Sequence, residues 1–245
     1  MHRFNLERHL AVEHKKTALS EYLREIVYGG NDGIVTTFAV VAGFAGAQTS
    51  PTSSAVPILS VLLFGLANLL ADGISMGLGS FLSLRADKDV YKMNKSKEQH
   101  EIIHDPDNEF SETVEILMRK KFTKPDALTI ARLYRLNPSY WLEFMMKDEL
   151  EMKDPETEHP IFVALATFIS FVIFGIIPLL PYITPLPKEY LFKASLLSTL
   201  AALLLLGILR GIVSQQKSIR GIMETLFVGG ISASVAYTVG TFFRI

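Results

Sequence analysis

The chain has 245 residues, of which 49% are hydrophobic and 20% charged, with a net charge of −1 and no cysteine. The lack of cysteine excludes disulfides, thiolate metal sites and cysteine nucleophiles. The near-neutral charge, without a basic stripe of interleaved aromatic residues, argues against a nucleic-acid partner. Charged and apolar residues are segregated along the chain, which is typical of a protein that crosses a membrane.

The N-terminal segment, residues 1–25, is charged and amphipathic. This pattern predicts a cytosolic helix that lies along the membrane surface. It has no short apolar core followed by a small-residue cleavage site, so we expect no signal peptide. Three histidines of this segment lack the neighbouring carboxylates that a metal site needs, and we interpret them as solvated. They are His2, His9 and His14.

Five apolar segments are long enough to cross a bilayer, which takes about 20 residues as a helix. Each must be helical, because lipid offers no partner for backbone N–H and C=O groups. We therefore predict an all-α membrane protein with five transmembrane helices and a cytosolic helical insert at residues 85–159. Two spans fall within residues 26–84 and three within 160–245. The segments are 26–49, 57–84, 161–183, 190–209 and 222–243.

An acid lies within the first predicted span, in the sequence Gly30-Asn31-Asp32-Gly33. A buried charge in a membrane costs several kcal/mol unless it is paired or hydrated, so Asp32 is a candidate for the transport path. The alternative is that Asp32 caps the helix at the membrane interface. Further along this span, Gly43 and Ala47 form a pair of small residues suited to close helix packing.

The second predicted span carries two neighbouring stripes of residues spaced four apart, which share a helix face. One stripe is small and suits close approach of another helix: Ala67, Ala71, Ser75 and Gly79. The other is polar and can coordinate a divalent cation through oxygen and sulfur: Asn68, Asp72, Met76 and Ser80. The alternative for the second stripe is hydrogen bonding between helices and a core methionine.

No proline interrupts residues 58–105, so the second span is expected to continue into water as a stalk. Prolines divide the rest of the insert into three predicted helices, residues 108–121, 125–136 and 139–153. Pro125 suits the first turn of its helix, and Thr123 before it suits the cap. Together with the stalk, these make a small cytosolic bundle of three to four helices.

Acids recur along the insert at spacings of three or four residues, so that each group shares one helix face. Clustered carboxylates repel one another and hold protons, and a divalent metal relieves the repulsion as it displaces the protons. Thioether sulfur shifts the preference away from calcium and magnesium toward iron and manganese. The candidate metal ligands are Glu98, Glu101, Glu109, Glu112, Met145, Met146 and Glu149.

Three alternatives remain open for these residues. Glutamate-rich helices are commonly solvated faces without a metal. A membrane-anchored di-iron enzyme of the ferritin type would use the Glu-x-x-His spacing of Glu101 and His104. Such a site needs two copies of this motif, and the insert contains one. A metal-sensing receptor or scaffold would use the spans only as anchors, which gives no role to the acids within them.

Basic residues cluster on one side of the predicted spans. Arginines and lysines precede the first span, occur throughout the insert and lie between the last two spans. The positive-inside rule therefore places the N-terminus and the insert in the cytosol and the C-terminus outside. The short N-terminus favours a prokaryotic inner membrane over a vacuolar membrane.

Four motifs, taken together and in order, resemble the vacuolar iron transporter family over nearly the whole chain. They are Gly30-Asn31-Asp32-Gly33, Ser75-Met76-Gly77-Leu78-Gly79, Lys97-Glu98-Gln99-His100-Glu101 and Met145-Met146-Lys147-Asp148-Glu149-Leu150. The resemblance implies a homodimer in membrane lipid with a path between subunits. It also implies export of cytosolic Fe2+ in exchange for protons, with Mn2+ or Zn2+ as further cargo and no prosthetic group.

The resemblance also implies roles for particular residues. The cytosolic metal site would be formed by the Glu and Met set given above, and the path would use Asp32 and Met76. One position departs from the family pattern, since better-known members have a glutamate where this chain has Asn68. Asp72, one turn closer to the Ser-Met motif, is the candidate replacement for that charge.

Overall fold

A computed structural model describes residues 18–48, 57–213 and 219–243, and every regular element in these ranges is helical. The predicted N-terminal surface helix falls mostly outside them, as do His2, His9 and His14. The helices are α1 (Ala18–Glu21), α2 (Leu23–Ala47), α3 (Ile58–His104), α4 (Pro106–Arg119), α5 (Lys124–Arg135), α6 (Pro138–Asp148), α7 (Pro160–Gly175), α8 (Leu180–Ile183), α9 (Lys188–Val213) and α10 (Ile219–Phe242).

Three helical segments of the described chain are long and apolar enough to cross a membrane, and they confirm a membrane protein. These are Ile58–His104, Pro160–Ile183 and Lys188–Val213. A shorter apolar helix covers Leu226–Phe242. The predicted first span forms the 25-residue helix α2, which includes Asp32. Five spans stay a prediction.

The predicted third span is interrupted. α7 ends at Gly175, and a short 3-10 helix, Ile177–Leu179, separates it from α8. Pro178 and Pro181 cause the break, because proline has no N–H to donate and its ring clashes with the preceding turn.

The chain divides into two compact units, and α3 contributes to both. The insert unit is Leu82–Pro160, and the apolar unit comprises the described residues up to Phe81 and from Ile161 onward. The predicted insert, residues 85–159, differs from the insert unit by three residues at one end and one at the other.

The insert unit encloses its own apolar core. α6 supplies the largest part of it, including the fully buried Trp141, and α4 and α5 add smaller residues such as Val114 and Ala131. Thr123 caps α5 by accepting a hydrogen bond from the Asp126 amide, with Pro125 in the first turn, as the sequence predicts. Asn137 caps α6 in the same way. This core holds the insert helices in a fixed arrangement.

The last insert helix is shorter than predicted. α6 ends at Asp148, whereas the sequence predicts residues 139–153. The amides of Glu149 and Leu150 both donate to the Met145 carbonyl, and Glu151 has φ 52, in the left-handed region. This bonding pattern closes a helix rather than continuing it. It places Glu149 at the end of α6.

In the apolar unit, α2 packs closely on α7 and α10 through small residues. A side chain at Gly33 would meet the Phe171 carbonyl of α7, and one at Gly240 would meet the Gly43 carbonyl. The predicted close packing at Gly43 is therefore confirmed. Such contacts hold α2, and with it Asp32, in place.

The small stripe of α3 is not the face that packs within the single chain, so its contact with another helix stays a prediction. The stripe of Ala67, Ala71, Ser75 and Gly79 is exposed in the described part of the single chain. The opposite face packs within the single chain, where Gly73 and Gly77 lie against Phe168. Glycine leaves room for an aromatic ring that alanine or serine would obstruct, which explains the difference.

Candidate metal site and transport path

Three glutamates from three helices meet at one point of the insert unit. Glu98 of α3, Glu109 of α4 and Glu149 at the end of α6 each offer a carboxylate oxygen, and these oxygens lie within 4.8 Å of one another. Carboxylates this close are the ligands that hard and borderline divalent cations accept. The convergence makes a candidate metal site, which we name the glutamate cluster.

Two members of the glutamate cluster are buried. Glu98 is 3% exposed and Glu109 4%, whereas Glu149 is exposed. One oxygen of each buried carboxyl, Oε1 of Glu98 and Oε2 of Glu109, has no hydrogen-bond partner among the described residues. A buried oxygen without a partner carries a cost that a bound cation would remove.

The glutamate cluster holds protons near neutral pH. Burial first, and then the charge of Glu149, raises the pKa of Glu98 to about 8. Loss of water around its carboxyl, and then the charges of Glu112 and Glu109, raise the pKa of Glu149 to about 7 although the residue as a whole is exposed. Burial also raises the pKa of Glu109. Protons and a divalent cation would therefore compete for these oxygens at neutral pH.

Two of the predicted glutamates lie near the cluster but do not join it. Glu101 is half-buried and forms an ion pair with Lys97 at 3.6 Å. Glu112 is half-buried and accepts a hydrogen bond from Asn108 Nδ2 at 2.9 Å. Both are close enough to raise the pKa of Glu149 through their charge. Their charge therefore acts on the glutamate cluster, and their part as metal ligands stays a prediction.

The two predicted methionines lie in the core of the insert unit. Met145 is 0% exposed and Met146 1%. Thr113 Oγ1 lies 3.4 Å from Met145 Sδ and accepts a hydrogen bond from Trp141 Nε1 at 2.7 Å. Sequence reasoning missed Thr113 and Trp141. Their spacing could have indicated them, because Glu109 and Thr113 are four apart, as are Trp141, Met145 and Glu149.

The structure gives no support to a di-iron site at the Glu-x-x-His motif. Glu101 is paired with Lys97, and His104 Nδ1 lies 2.9 Å from the His100 carbonyl. Neither residue belongs to the group of three candidate ligands found among the described residues. All three members of that group are glutamates. A di-iron site of the ferritin type uses two such motifs.

Trp141, the chain's one tryptophan, makes the glutamate cluster observable by fluorescence. We predict that Mn2+ changes its emission in a saturable way, because Trp141, Met145 and Glu149 lie on successive turns of the same helix segment. Thr113→Val should weaken Mn2+ binding by roughly tenfold, as expected for a residue that orients others. The measurement is a fluorescence titration of the full-length chain in detergent.

The matched control is Thr129→Val on α5, where the exposed hydroxyl donates to the Pro125 carbonyl. It should leave the Mn2+ titration unchanged. Equal affinities for the Thr113→Val variant and the unmodified chain would show that Thr113 only fills the core.

The polar stripe of α3 faces partly inward in the apolar unit. Asn68, Asp72 and Met76 are half-buried. Asn68 Nδ2 donates a hydrogen bond of 2.6 Å to Asp72 Oδ2. Ser80, the next member of the stripe, donates to Thr167 Oγ1 at 3.3 Å. The hydrogen bond between Asn68 and Asp72 holds that carboxylate on the same face as Met76.

Asp32 of α2 is half-buried and interacts electrostatically with Asp72 of α3. Two acids on different helices therefore lie in the same region of the apolar unit. Beside Asp32, the side-chain oxygen of Asn31 is buried without a hydrogen-bond partner in the described chain. Sequence reasoning assigned no role to Asn31, although it lies within the motif that contains Asp32.

The comparison with known proteins agrees with the resemblance stated from the motifs. The model of a family described as the VIT family matches residues 23–241. A vacuolar iron transporter 1 from Eucalyptus grandis is 33% identical over 233 residues, which cover 94% of this chain and 91% of the relative. A vacuolar iron transporter 1 from Arabidopsis thaliana is 34% identical, with 91% and 86% covered.

A third relative gives the same result. A vacuolar iron transporter from Toxoplasma gondii is 32% identical and covers 100% of this chain and 82% of its own length. The match extends across both compact units, from the start of α2 almost to the end of α10. The chain therefore belongs to the VIT family.

Proposed function

We propose that this chain exports a divalent metal, Fe2+ with Mn2+ as a second cargo, from the cytosol in exchange for protons. The observation that carries the proposal is the convergence of Glu98, Glu109 and Glu149 within 4.8 Å. Membership of the VIT family, whose relatives here are named iron transporters, supports the choice of cargo. Because those relatives are transporters, the prediction that the chain is not an enzyme is confirmed.

Metal capture starts at the glutamate cluster in this proposal. Its carboxylates supply oxygen ligands, and Glu101 and Glu112 add negative charge that attracts a cation. Met145 and Met146 would supply thioether donors from the buried side, which favours iron and manganese over calcium and magnesium. The protons held by Glu98 and Glu149 leave when the metal binds.

Passage through the membrane uses the half-buried residues of α2 and α3 in this proposal. Asp32, Asp72 and Met76 supply oxygen and sulfur, and Asn68 orients Asp72 through its hydrogen bond. An intramembrane acid that is only half-buried fits a hydrated path better than a dry structural pair. This favours transport over a scaffold that uses its spans only as anchors.

We propose that the path lies against a second copy of the chain. The small stripe of α3 is exposed in the single chain and allows close approach of another helix. It is adjacent to the stripe that carries Asn68, Asp72 and Met76. A homodimer that used this surface would place two sets of path residues near each other.

Cross-linking tests this interface cleanly, because the chain contains no cysteine. We expect Ala71→Cys to form cross-linked dimers in membranes with a short bifunctional thiol reagent. The control is Leu197→Cys on α9, which is 67% exposed and is expected to face lipid. Equal yields for both variants, or no dimer with Ala71→Cys, would reject this interface.

The proposed orientation places the N-terminus and the insert unit in the cytosol and the C-terminus outside. Basic residues in the insert and between α9 and α10 support it through the positive-inside rule. Five spans are consistent with these opposite locations of the termini. A prokaryotic inner membrane stays a prediction, whereas the relatives are named for vacuoles.

The experiment that tests the function is metal flux into proteoliposomes with and without a pH gradient. Fe2+, Mn2+, Zn2+ and Ca2+ are compared with the same preparation. We expect Fe2+ and Mn2+ flux that accelerates when the receiving compartment is acidic, and Ca2+ flux at background. Flux that does not respond to the pH gradient would reject proton coupling.

A further inference from the structure

Two histidines lie side by side on the surface of the insert unit. His100 and His104 are four residues apart near the end of α3, and both are exposed. Residues at this spacing point to the same side of a helix. Their rings are stacked, with centroids 3.9 Å apart and an angle of 16° between the ring planes. The backbone thus presents two imidazoles together to solvent.

The hydrogen bonding of His104 identifies its free nitrogen. Nδ1 of His104 lies 2.9 Å from the carbonyl oxygen of His100. A carbonyl oxygen only accepts, so Nδ1 carries the proton, and the neutral ring has its lone pair on Nε2. Metal-binding histidines commonly use this arrangement, in which a backbone carbonyl fixes the tautomer and the ring orientation. His104 is therefore oriented to bind a cation through Nε2.

The histidine pair is separate from the glutamate cluster. His100 follows Glu98 by two residues, which corresponds to a rotation of about 200° around the helix axis. In agreement, Glu98 is buried while His100 is exposed. Neither histidine belongs to the group of three candidate ligands that the described residues form. The two sets of ligands face different sides of one helix.

We propose that His100 and His104 form a second metal site, which takes cations that prefer imidazole, such as Cu2+, Ni2+ or Zn2+. Carboxylate clusters favour harder cations, whereas imidazole suits copper, nickel and zinc. Two nitrogens come from the protein once the exposed rings turn from their stacked arrangement toward one cation, and water completes the coordination. This site goes beyond the transport proposal.

Copper binding to the full-length chain in detergent tests the site, with Cu2+ alone as the probe. The background variant carries His2→Gln, His9→Gln, His14→Gln and His159→Gln, so that His100 and His104 are the remaining histidines. We expect one tightly bound Cu2+ per chain, whose electron paramagnetic resonance spectrum shows coupling to two imidazole nitrogens. Adding His104→Gln should weaken binding by about tenfold or more and leave coupling to one nitrogen.

A second variant separates this site from the glutamate cluster. Glu149→Gln should leave the Cu2+ spectrum unchanged, while His104→Gln should leave the Mn2+ titration of Trp141 fluorescence unchanged. Copper binding that is lost in Glu149→Gln, or that persists with unaltered affinity and spectrum in His104→Gln, would overturn the proposal. A failure of transport would appear instead as absent flux in proteoliposomes, with the copper spectrum intact.

Discussion

Replacing Asp32 by asparagine should strongly reduce metal flux while leaving metal capture by the insert unit intact. The change keeps the size of the side chain and removes the negative charge that a cation crossing the apolar unit would need. We expect at least about a tenfold loss of Fe2+ and Mn2+ flux in proteoliposomes, and a comparable loss for Met76→Leu, which removes the thioether. Mn2+ titration of Trp141 fluorescence should be unaltered in both.

The control for Asp32→Asn is Thr36→Val, one turn further along α2. The Thr36 hydroxyl donates to the backbone carbonyl of Asp32 at 2.8 Å, so its loss affects the same turn without removing a carboxylate. Flux should remain close to that of the unmodified chain. Full flux in both Asp32→Asn and Met76→Leu would place the metal path elsewhere.

The pairing of Asn68 with Asp72 allows two possibilities to be distinguished. In one, this face of α3 needs a carboxylate at either position; in the other, it needs one at residue 72 only. Asp72→Asn should lose flux, because it leaves two amides where the structure has an amide and a carboxylate. Adding Asn68→Glu to that variant returns the charge one turn away on the same face. Recovered flux would show that this face needs one carboxylate and that Asp72 supplies it. If Asp72→Asn alone transports normally, Asp72 has no such role.

The sequence indicated all three residues of the glutamate cluster but not which of the predicted glutamates converge, for a physical reason. Spacing of three or four residues shows that acids share a helix face, but convergence depends on how three helices pack around their core. Glu98, Glu109 and Glu149 meet because α6 ends at Asp148 and positions Glu149 at its terminus. That end is set by the left-handed backbone conformation of Glu151. The sequence does not predict this conformation, because it is typical of glycine and not of glutamate.

The packing face of α3 could not be chosen from spacing alone. Its small stripe and its Gly73-Gly77 face lie on opposite sides of the helix, and both contain residues that allow close approach. The deciding feature is Phe168 on α7, which lies against the two glycines. The partner of a helix face depends on tertiary structure that the periodicity of one helix does not contain.

Replacing Glu98 by glutamine should remove most of the metal affinity and much of the proton release of the insert unit. The pKa of Glu98 is about 8, so the site carries a proton at neutral pH that metal must displace. For the unmodified chain we expect Mn2+ affinity to rise with pH between about 6 and 8 and to level off above. Glu98→Gln should weaken binding by roughly a hundredfold and flatten this pH dependence.

The same pKa shift determines how stability depends on pH without metal. The folded chain holds the Glu98 proton up to about pH 8, whereas the unfolded chain releases it near the ordinary value of 4.5. Between these values the folded state binds more protons, so its stability falls as pH rises. Saturating Mn2+ should restore the thermal midpoint at pH 8, and Glu98→Gln should raise that midpoint in the absence of metal, since it removes one buried charge.

Calorimetric Mn2+ titrations in buffers of different ionisation enthalpy count the protons released. Glu115→Gln is the control, because Glu115 is exposed, pairs with Arg119 at 2.6 Å and lies outside the cluster. It should release as many protons as the unmodified chain, whereas Glu98→Gln should release fewer. Burial and mutual repulsion give these carboxyls the pKa values that exchange of metal for protons requires. If Glu98→Gln bound Mn2+ as tightly and released as many protons as the unmodified chain, Glu98 would not be the group that couples metal to protons.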